Sequence, residues 1–182
     1  METKIEYDNG FDCPQSLSNS FIERLESVGG KGFIINDCEE FAQIINNLKV
    51  EKKWKKIYCS DSELCNYLKD ARINLLKDEP EHGNYDVAIT KCESLIGLTG
   101  SILVSSKTGP GRKVHVAPDV HAVYAGFSQL KPFIKDGLKA ISTNPSWIGL
   151  ITGPSRTADI EKTLVMGAHG PKELLVFLNK SC

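Results

Sequence analysis

The sequence predicts an α/β fold, a mostly parallel β-sheet with helices on both faces. Two observations predict it: short apolar runs typical of buried strands alternate with segments of helical periodicity, and capping residues separate the two kinds of segment. The chain has 182 residues, 41% of them hydrophobic, which is enough for one domain with its own core. We therefore expect one domain over 1–182, with 1–16 as a flexible or peripheral segment.

The first third of the chain predicts a helix followed by two strand–helix pairs. Phe21, Leu25 and Val28 recur at helical spacing, and the Gly29–Gly30 pair ends that helix like a left-handed C-cap. The first pair is a strand at 33–35 and a helix that Asn36 or Asp37 caps, with an apolar stripe at Phe41, Ile44, Ile45 and Leu48. The second pair is a strand at 57–59 and a helix that follows a capping-box pattern at 60–63, with Leu64, Leu68 and Ala71 on one face.

The second half predicts more strands and two helices. The predicted strands are 86–90, 102–106, 114–116, 120–124, 147–151 as a central strand, and 174–178, with a turn at Gly109-Pro110-Gly111. The predicted helices are a long amphipathic one carrying Leu130, Phe133, Ile134, Leu138 and Ile141, and a second from about Ala158 to Met166.

Charge and composition exclude several classes of partner. There are 22 basic and 23 acidic residues and a formal net charge of -1. Binding to a nucleic acid or to an anionic membrane surface requires an excess of Lys and Arg, which this chain lacks. No apolar run approaches the roughly 18 residues of a membrane-spanning helix, and the acidic N-terminus has no signal-peptide core. The six cysteines form no Cys-x-x-Cys pair. We expect a cytoplasmic chain with no metal, cluster or other cofactor of its own.

The stretch after 147–151 is the first candidate ligand site, because α/β sheets bind ligands where a strand turns into a helix. Gly153 permits a tight turn, and Ser155, Arg156 and Thr157 follow it at the predicted start of a helix. Free amides and a planar guanidinium there suit a carboxylate or phosphate. The same residues also suit a simple capping turn, in which Ser155 caps the helix and Arg156 pairs with a neighbouring acid.

A second candidate turn lies between two predicted strands. Thr99, Gly100 and Ser101 offer two hydroxyls and a closely approachable backbone, and Glu93 offers a carboxylate for acid–base work. The alternative is a polar turn between buried strands, without a ligand.

Histidines are the remaining candidates for chemistry. His169 lies in a Gly-rich turn close to the first candidate site, and His121 lies on a predicted strand with His115 a few residues before it. Either His121 or His169 is suited to proton transfer. A metal trio with His115 is conceivable, but the spacing does not indicate one, and scattered histidines are more often structural or solvent-exposed.

Several longer strings resemble one known family. They are Ile-Thr-Gly-Pro-Ser-Arg-Thr-Ala-Asp-Ile-Glu at 151–161, Gly-Ala-His-Gly-Pro at 167–171, Asp-Val-Ala-Ile-Thr at 86–90, Thr-Gly-Ser before an apolar strand at 99–104, and Pro-Asp-Val-His at 118–121. Together they resemble the lactate-utilization (LUD) family, in its protein C branch. The resemblance covers about 86–178, and the first half more loosely.

The resemblance implies a LUD-type α/β domain, with a fold similar to that of ribose-phosphate isomerases and CoA transferases. It also implies a role in oxidising L-lactate to pyruvate within a three-protein cytoplasmic system, in which partner proteins carry the iron–sulfur clusters. This chain would be the subunit without a cluster. It would bind a small carboxylate or phosphate at Thr99–Ser101 and Ser155–Thr157, with His121 or His169 moving a proton.

The sequence departs from the family pattern at two positions. Leu98 stands where many members carry Glu, and Asp119 replaces a proline, so Glu93 is left as the acid of that turn. Two alternatives stay open: a stand-alone enzyme acting on a sugar phosphate or acyl-CoA, with Glu93 as a nucleophile, and a purely architectural subunit. Whether the chain is catalytic by itself also stays open.

Overall fold

The computed structural model describes residues 14–80, 84–141, 144–158, 164–166 and 170–181. Its helices and strands follow one another in this order: α1 (Pro14–Ser27), β1 (Lys31–Ile35), α2 (Cys38–Lys52), β2 (Ile57–Cys59), α3 (Ser62–Asp70), β3 (Val87–Lys91), β4 (Ser94–Ile96), β5 (Ser101–Ser105), α4 (Lys113–Val116), β6 (Val120–Gly126), β7 (Leu130–Lys131), α5 (Ile134–Ala140), β8 (Ile148–Ile151), β9 (Arg156–Ala158), β10 (Leu164–Met166) and β11 (Glu173–Asn179).

Five strands form the central sheet, in the order β1-β11-β6-β3-β2, and every neighbouring pair is parallel. The last strand, β11, lies between β1 and β6, and all seven residues of β6 are buried. Strands buried on both faces need apolar residues on both sides, which is why their sequences are nearly continuous apolar runs. The predicted mostly parallel sheet is confirmed.

One face of this sheet is covered by α2 and α3. Helix α2 begins at the predicted cap, because the Asp37 side chain accepts a hydrogen bond from the Glu40 amide. Helix α3 is capped by Asp61, which accepts from the Leu64 amide, one residue later than the predicted capping box at 60–63. Phe41 of α2 packs edge-on against Phe177 of β11, with ring centroids 4.9 Å apart. These contacts belong to a large apolar cluster.

The opposite face is covered by α1, by α4 and by a second, four-stranded sheet in the order β7-β4-β5-β8. Phe21 and Leu25 of α1 are fully buried there. Helices therefore lie on both faces, as predicted, but a second sheet shares one of them. Strands β9 and β10 pair with each other in a separate antiparallel ribbon.

Two predictions around the middle of the chain are wrong. The predicted strand at 114–116 is part of α4, because both edges of β3 and of β6 are already paired and leave no place for another strand. The predicted long helix at 130–141 is only Ile134–Ala140, preceded by the short strand β7. Pro132 lies between them and disfavours an earlier helix start because it lacks an amide hydrogen and restricts the residue before it.

Two predictions near the end of the chain are also wrong. The predicted central strand at 147–151 is β8, which pairs with β5 at the edge of the second sheet, and its residues alternate between exposed and half-buried. An apolar run alone does not distinguish a central strand from an edge strand. The predicted helix at 158–166 is not formed at its two ends, which belong to β9 and β10; residues 159–163 lie outside the described ones. Leu-Val-Met at 164–166 suits a strand at least as well as a helix.

Candidate functional site

The two predicted ligand turns lie side by side. The start of β5 and the end of β8 meet because Ile102 pairs with Ile151 in an antiparallel register. Beside this pair, the Ser101 and Thr152 hydroxyl oxygens are 2.8 Å apart and hydrogen-bonded. The structure therefore brings the Thr99–Ser101 turn next to the Gly153 turn.

Both turns pack their glycines against the C-terminal half of α1. Gly100 has φ +63°, and a Cβ there would lie 2.3 Å from the Leu25 backbone nitrogen. Gly153 has φ +75°, and a Cβ there would lie 2.5 Å from the Val28 carbonyl oxygen. Both positions need glycine for the backbone angle and for the close approach. In both turns, the space that a side chain would fill is occupied by the C-terminal end of α1 and the residue after it.

Arg156 contacts the same helix end. Its guanidinium is exposed and donates a hydrogen bond from Nη2 to the Val28 carbonyl. The carbonyls at a helix C-terminus carry partial negative charge and lack partners within the helix, so a cation stabilises them. The Ser155 amide donates to the Pro171 carbonyl at 2.8 Å. The Ser155 amide and the Arg156 guanidinium thus have partners within the fold.

The other members of the predicted site are less informative. Thr157 pairs with Val165 in the β9–β10 ribbon. The Thr99 hydroxyl oxygen is buried without a hydrogen-bond partner in the described part of the chain. His169 lies outside the described residues.

Glu93 lies at the bend between β3 and β4. Its amide donates to the Leu103 carbonyl at 2.8 Å, and its carboxylate accepts a 2.5 Å hydrogen bond from the Ser105 hydroxyl. Leu98, at the position where the family often has an acid, is half exposed. Glu93 is therefore held in place by the second sheet.

His121 of β6 belongs to a buried polar cluster between the parallel sheet and α4. Its Nε2 lies 3.0 Å from the Thr90 hydroxyl oxygen and 3.4 Å from Nδ1 of His115 on α4. His121 is fully buried and His115 is 5% exposed. Burial lowers the pKa of His115 to about 4, and burial together with the neighbouring His115 lowers the pKa of His121 to about 3. Both rings are therefore neutral at pH 7.

Each ring has one nitrogen left over. His115 Nε2 and His121 Nδ1 are buried and have no hydrogen-bond partner among the described residues. Buried polar side-chain atoms nearly always have a partner, so exceptions call for an explanation. Sequence reasoning selected His121 by residue type, placed His115 on a strand, and considered His115 only as a conceivable metal ligand.

Trp147 and Arg112 extend this cluster towards solvent. The Trp147 ring packs edge-on against His115 at 5.7 Å, and the Arg112 guanidinium lies 5.7 Å from the centre of the Trp147 ring. Arg112 is the N-cap residue of α4 and comes three residues before His115, so both lie on one side of the helix. In the part of the chain described, Arg112 forms no salt bridge. A cation beside neutral imidazoles suits a small carboxylate that carries a hydroxyl or carbonyl group.

A separate cavity of about 360 Å³ lies at the carboxyl ends of β1 and β11, and sequence reasoning missed it. Its lining residues are Asp37, Cys38, Glu39, Glu63, Tyr67, Asn179 and Ser181. Nearby, Asn179 Nδ2 donates to the Tyr124 hydroxyl at 2.6 Å, and Cys38 Sγ lies 3.1 Å from the same oxygen. Three carboxylates at the rim disfavour an anionic ligand there.

Among the described residues, no group of three or more His, Cys, Asp or Glu side chains is arranged to hold a metal ion. None of the helices described is long and apolar enough to cross a bilayer.

The fold and the polar cluster define an α/β protein in which helix α4 packs against the parallel sheet and forms a buried histidine pair with it. The family model of the LUD domain matches residues 18–178. The chain therefore belongs to the LUD domain family, in its lactate utilization protein C branch.

Two curated relatives and one solved structure illustrate the similarity. Lactate utilization protein C of Geobacillus thermodenitrificans is 26% identical over 166 residues, covering 85% of this chain and 65% of that protein. Lactate utilization protein C of Halalkalibacterium halodurans is 37% identical over 93 residues, covering 47% of this chain and 40% of that protein. A DUF162 family protein from Deinococcus radiodurans has a similar fold, with a TM-score of 0.67 at 19% identity, covering 92% of this chain and 98% of that one. The matched region of this chain spans less than two thirds of the length of the first curated relatives.

Proposed function

We propose that this chain takes part in lactate utilization by binding a small 2-hydroxy or 2-oxo carboxylate at the histidine pair. The names of its relatives support a role in lactate utilization. The observation that carries the site is the pair of buried, neutral imidazoles with unpartnered nitrogens, one helical turn from an exposed guanidinium. In this proposal the chain is the subunit without a cluster in a cytoplasmic L-lactate oxidation system, working with iron–sulfur partner proteins.

Arg112 is the residue we propose for the carboxylate. The guanidinium of Arg156 already donates to the Val28 carbonyl, and a ligand would have to displace that contact. The guanidinium of Arg112 lies over the face of Trp147. In that position the N–H donors of Arg112 remain available for a carboxylate. Bound there, a 2-hydroxy acid extends its C2 oxygen towards His115.

We propose a structural role for the glycines of the two predicted ligand turns. The contacts of Gly100 and Gly153 with α1 support a role in seating the second sheet on that helix. Glu93 and His169 remain candidates for proton transfer in this proposal. The hydrogen bond from Ser105 orients one carboxylate oxygen of Glu93. The other oxygen is the one we propose for proton transfer, and Glu93→Gln tests that role.

Calorimetry on the full chain with L-lactate and with pyruvate tests this function. Arg112→Ala should weaken binding at least about tenfold, because a charge-assisted hydrogen bond contributes roughly 1.5–3 kcal/mol. Arg156→Ala is the matched control: it removes another exposed guanidinium and should change affinity less than about twofold.

Two results contradict the proposal. If neither ligand binds the unchanged protein, the function is wrong. If Arg156→Ala abolishes binding while Arg112→Ala does not, the ligand lies at the Ser155–Thr157 turn instead of the histidine pair.

A further inference from the structure

Strand β8 lies at an edge of the second sheet, and one side of its backbone is open. On its other side it pairs with β5, and the Ser106 amide extends that ladder by donating to the Trp147 carbonyl at 3.1 Å. In an antiparallel pair, the backbone groups of successive residues point alternately towards and away from the neighbouring strand. The amides and carbonyls of Ile148 and Leu150 therefore point away from β5, and no backbone partner for them lies among the described residues.

The side chains of these two residues are also open to solvent. Ile148 is 47% exposed and Leu150 is 45% exposed. Both point to the outer face of the second sheet, because Ile151 packs against the cluster on its inner face and side chains alternate along a strand. Helix α5 covers part of the outer face, since a Cβ on Gly137 would lie 3.3 Å from Leu103, the residue opposite Leu150. The apolar layer therefore continues beyond α5 onto β8.

The other edges of the two larger sheets are protected in the described part of the chain. Strand β1 begins with the exposed Lys31, and β7 is only two residues long and ends with Lys131. On β2, the Leu76 amide covers the edge by donating to the Ile57 carbonyl at 2.8 Å. Charged residues, short strands and covering segments prevent strands from pairing between molecules. Residues 140–155, which include β8, contain no charged side chain.

We propose that β8 pairs with β8 of a second copy of this chain, which joins two four-stranded sheets into one of eight strands. Two identical strands pair antiparallel around a twofold axis, so each contact occurs twice. With Gly149 opposite Gly149 on the axis, Ile148 lies opposite Leu150 of the second copy, and the outward amides and carbonyls of both residues are paired. An uncharged edge suits an identical partner, because no like charges face each other.

The same register brings the second copy to the candidate site. Trp147 then lies opposite Ile151 of the second copy, in a non-hydrogen-bonded pair with Cβ atoms about 4.5–5.5 Å apart. The Arg112 guanidinium lies over the ring of this tryptophan, 5.7 Å from its centre. The second copy therefore adds an apolar side chain beside the ring and shields that side of it from solvent.

Sedimentation equilibrium on the full chain, from about 1 μM to about 1 mM, tests the interface. The average mass should rise from the 20.1 kDa of one chain towards twice that value. Leu150→Lys places a charge in the apolar contact and should weaken dimerisation at least about tenfold. Val50→Lys is the matched control, because Val50 of α2 is 72% exposed and lies away from β8. It should change dimerisation less than about twofold.

Cysteine cross-linking tests the register. In the proposed pairing, two cysteines at position 149 face each other with Cα atoms about 4.5 Å apart, which a disulfide can bridge. A Cβ on Gly149 would lie 3.4 Å from Val104 and from Trp147, an ordinary contact. With oxidised glutathione taking up the two electrons, Gly149→Cys should become a covalent dimer on non-reducing electrophoresis. Ile148→Cys should cross-link no more than the unchanged protein, because its two copies are displaced along the strands.

Three results overturn the proposal. They are a constant monomer mass over the whole concentration range, a dimer that Leu150→Lys does not weaken, and cross-linking of Ile148→Cys as fast as that of Gly149→Cys. Each leaves the proposed function standing, because ligand binding is measured separately.

Discussion

The two faces of the parallel sheet bury different chemistry. Under α2 and α3, the core is apolar and aromatic. Its polar atoms, such as the Tyr124 hydroxyl, are hydrogen-bonded near the carboxyl ends of the strands. On the other side, towards the second sheet and α4, lie all four buried side-chain atoms without a partner in the described part of the chain. They belong to Ser94, Thr99, His115 and His121. Because unpaired buried polar atoms lower stability, a face that retains them is a candidate for function, and the paired, apolar face supplies stability.

The largest expected effect tests the apolar face. Phe177 is fully buried, stacks on Phe33 at 4.8 Å and packs edge-on against Phe41 at 4.9 Å. Phe177→Ala should lower the free energy of unfolding by roughly 3–5 kcal/mol, because it removes apolar contacts and leaves a cavity. Urea denaturation followed by circular dichroism measures this change. A loss below about 1 kcal/mol would contradict the assignment of this face as the main source of stability.

Acid should destabilise the protein through the opposite face. The pKa values of His115 and His121 are lowered from 6.5 to about 4 and about 3. Below pH 6.5 the unfolded chain therefore binds protons that the folded chain does not, and stability falls as the pH falls. Each histidine contributes at most about 1.4 kcal/mol per pH unit, until the pH reaches its folded-state pKa.

Denaturation curves at intervals from pH 7 to pH 4 measure this dependence. In the triple variant Thr90→Val, His115→Leu, His121→Leu, the slope with pH should be markedly smaller, because the contribution of these two rings is gone. An unchanged slope would show that other groups account for the acid sensitivity.

A smaller loss is expected from the paired polar atoms at the carboxyl edge. Tyr124 is 5% exposed, and its hydroxyl accepts a 2.6 Å hydrogen bond from Asn179. Tyr124→Phe should cost about 1–2 kcal/mol of unfolding free energy, because the buried Asn179 amide loses an acceptor. Tyr67→Phe is the control at the same cavity. Tyr67 is 36% exposed, and the change should stay within about 0.5 kcal/mol. Equal effects of the two variants would contradict this role for the Tyr124 hydroxyl.

The first half of the fold was predictable because its signals are local. Asp37 and Asp61 cap the helices that follow them, and Gly29, with φ +88°, lies just beyond the end of α1 as its sequence indicated. The second half depends on which strand edges are free. The segment 114–116 has strand-like residues, but the neighbouring strands leave it no partner, so it forms a helix.

The candidate site was predictable by residue type but not by arrangement. His121 and Glu93 stood out because their side chains carry acid–base chemistry. The pairing of His121 with His115, and the position of Arg112 over Trp147, depend on α4 being a helix that packs against β3 and close to β8. Arg156 was selected as a charge near a glycine turn, and only the three-dimensional contact with Val28 gives it a partner. Such long-range contacts leave no local signal in the sequence.

The smallest stability effect is expected where the most polar groups are removed. The triple variant Thr90→Val, His115→Leu, His121→Leu replaces the whole hydrogen-bonded cluster with apolar side chains. Replacing all partners of a buried polar cluster at once is nearly neutral or stabilising, whereas removing one partner leaves the others unpaired. The free energy of unfolding at pH 7 should therefore change by less than about 1 kcal/mol, or rise, while L-lactate and pyruvate binding is lost. A loss above about 3 kcal/mol, comparable to Phe177→Ala, would mean that the polar face is as structural as the apolar one.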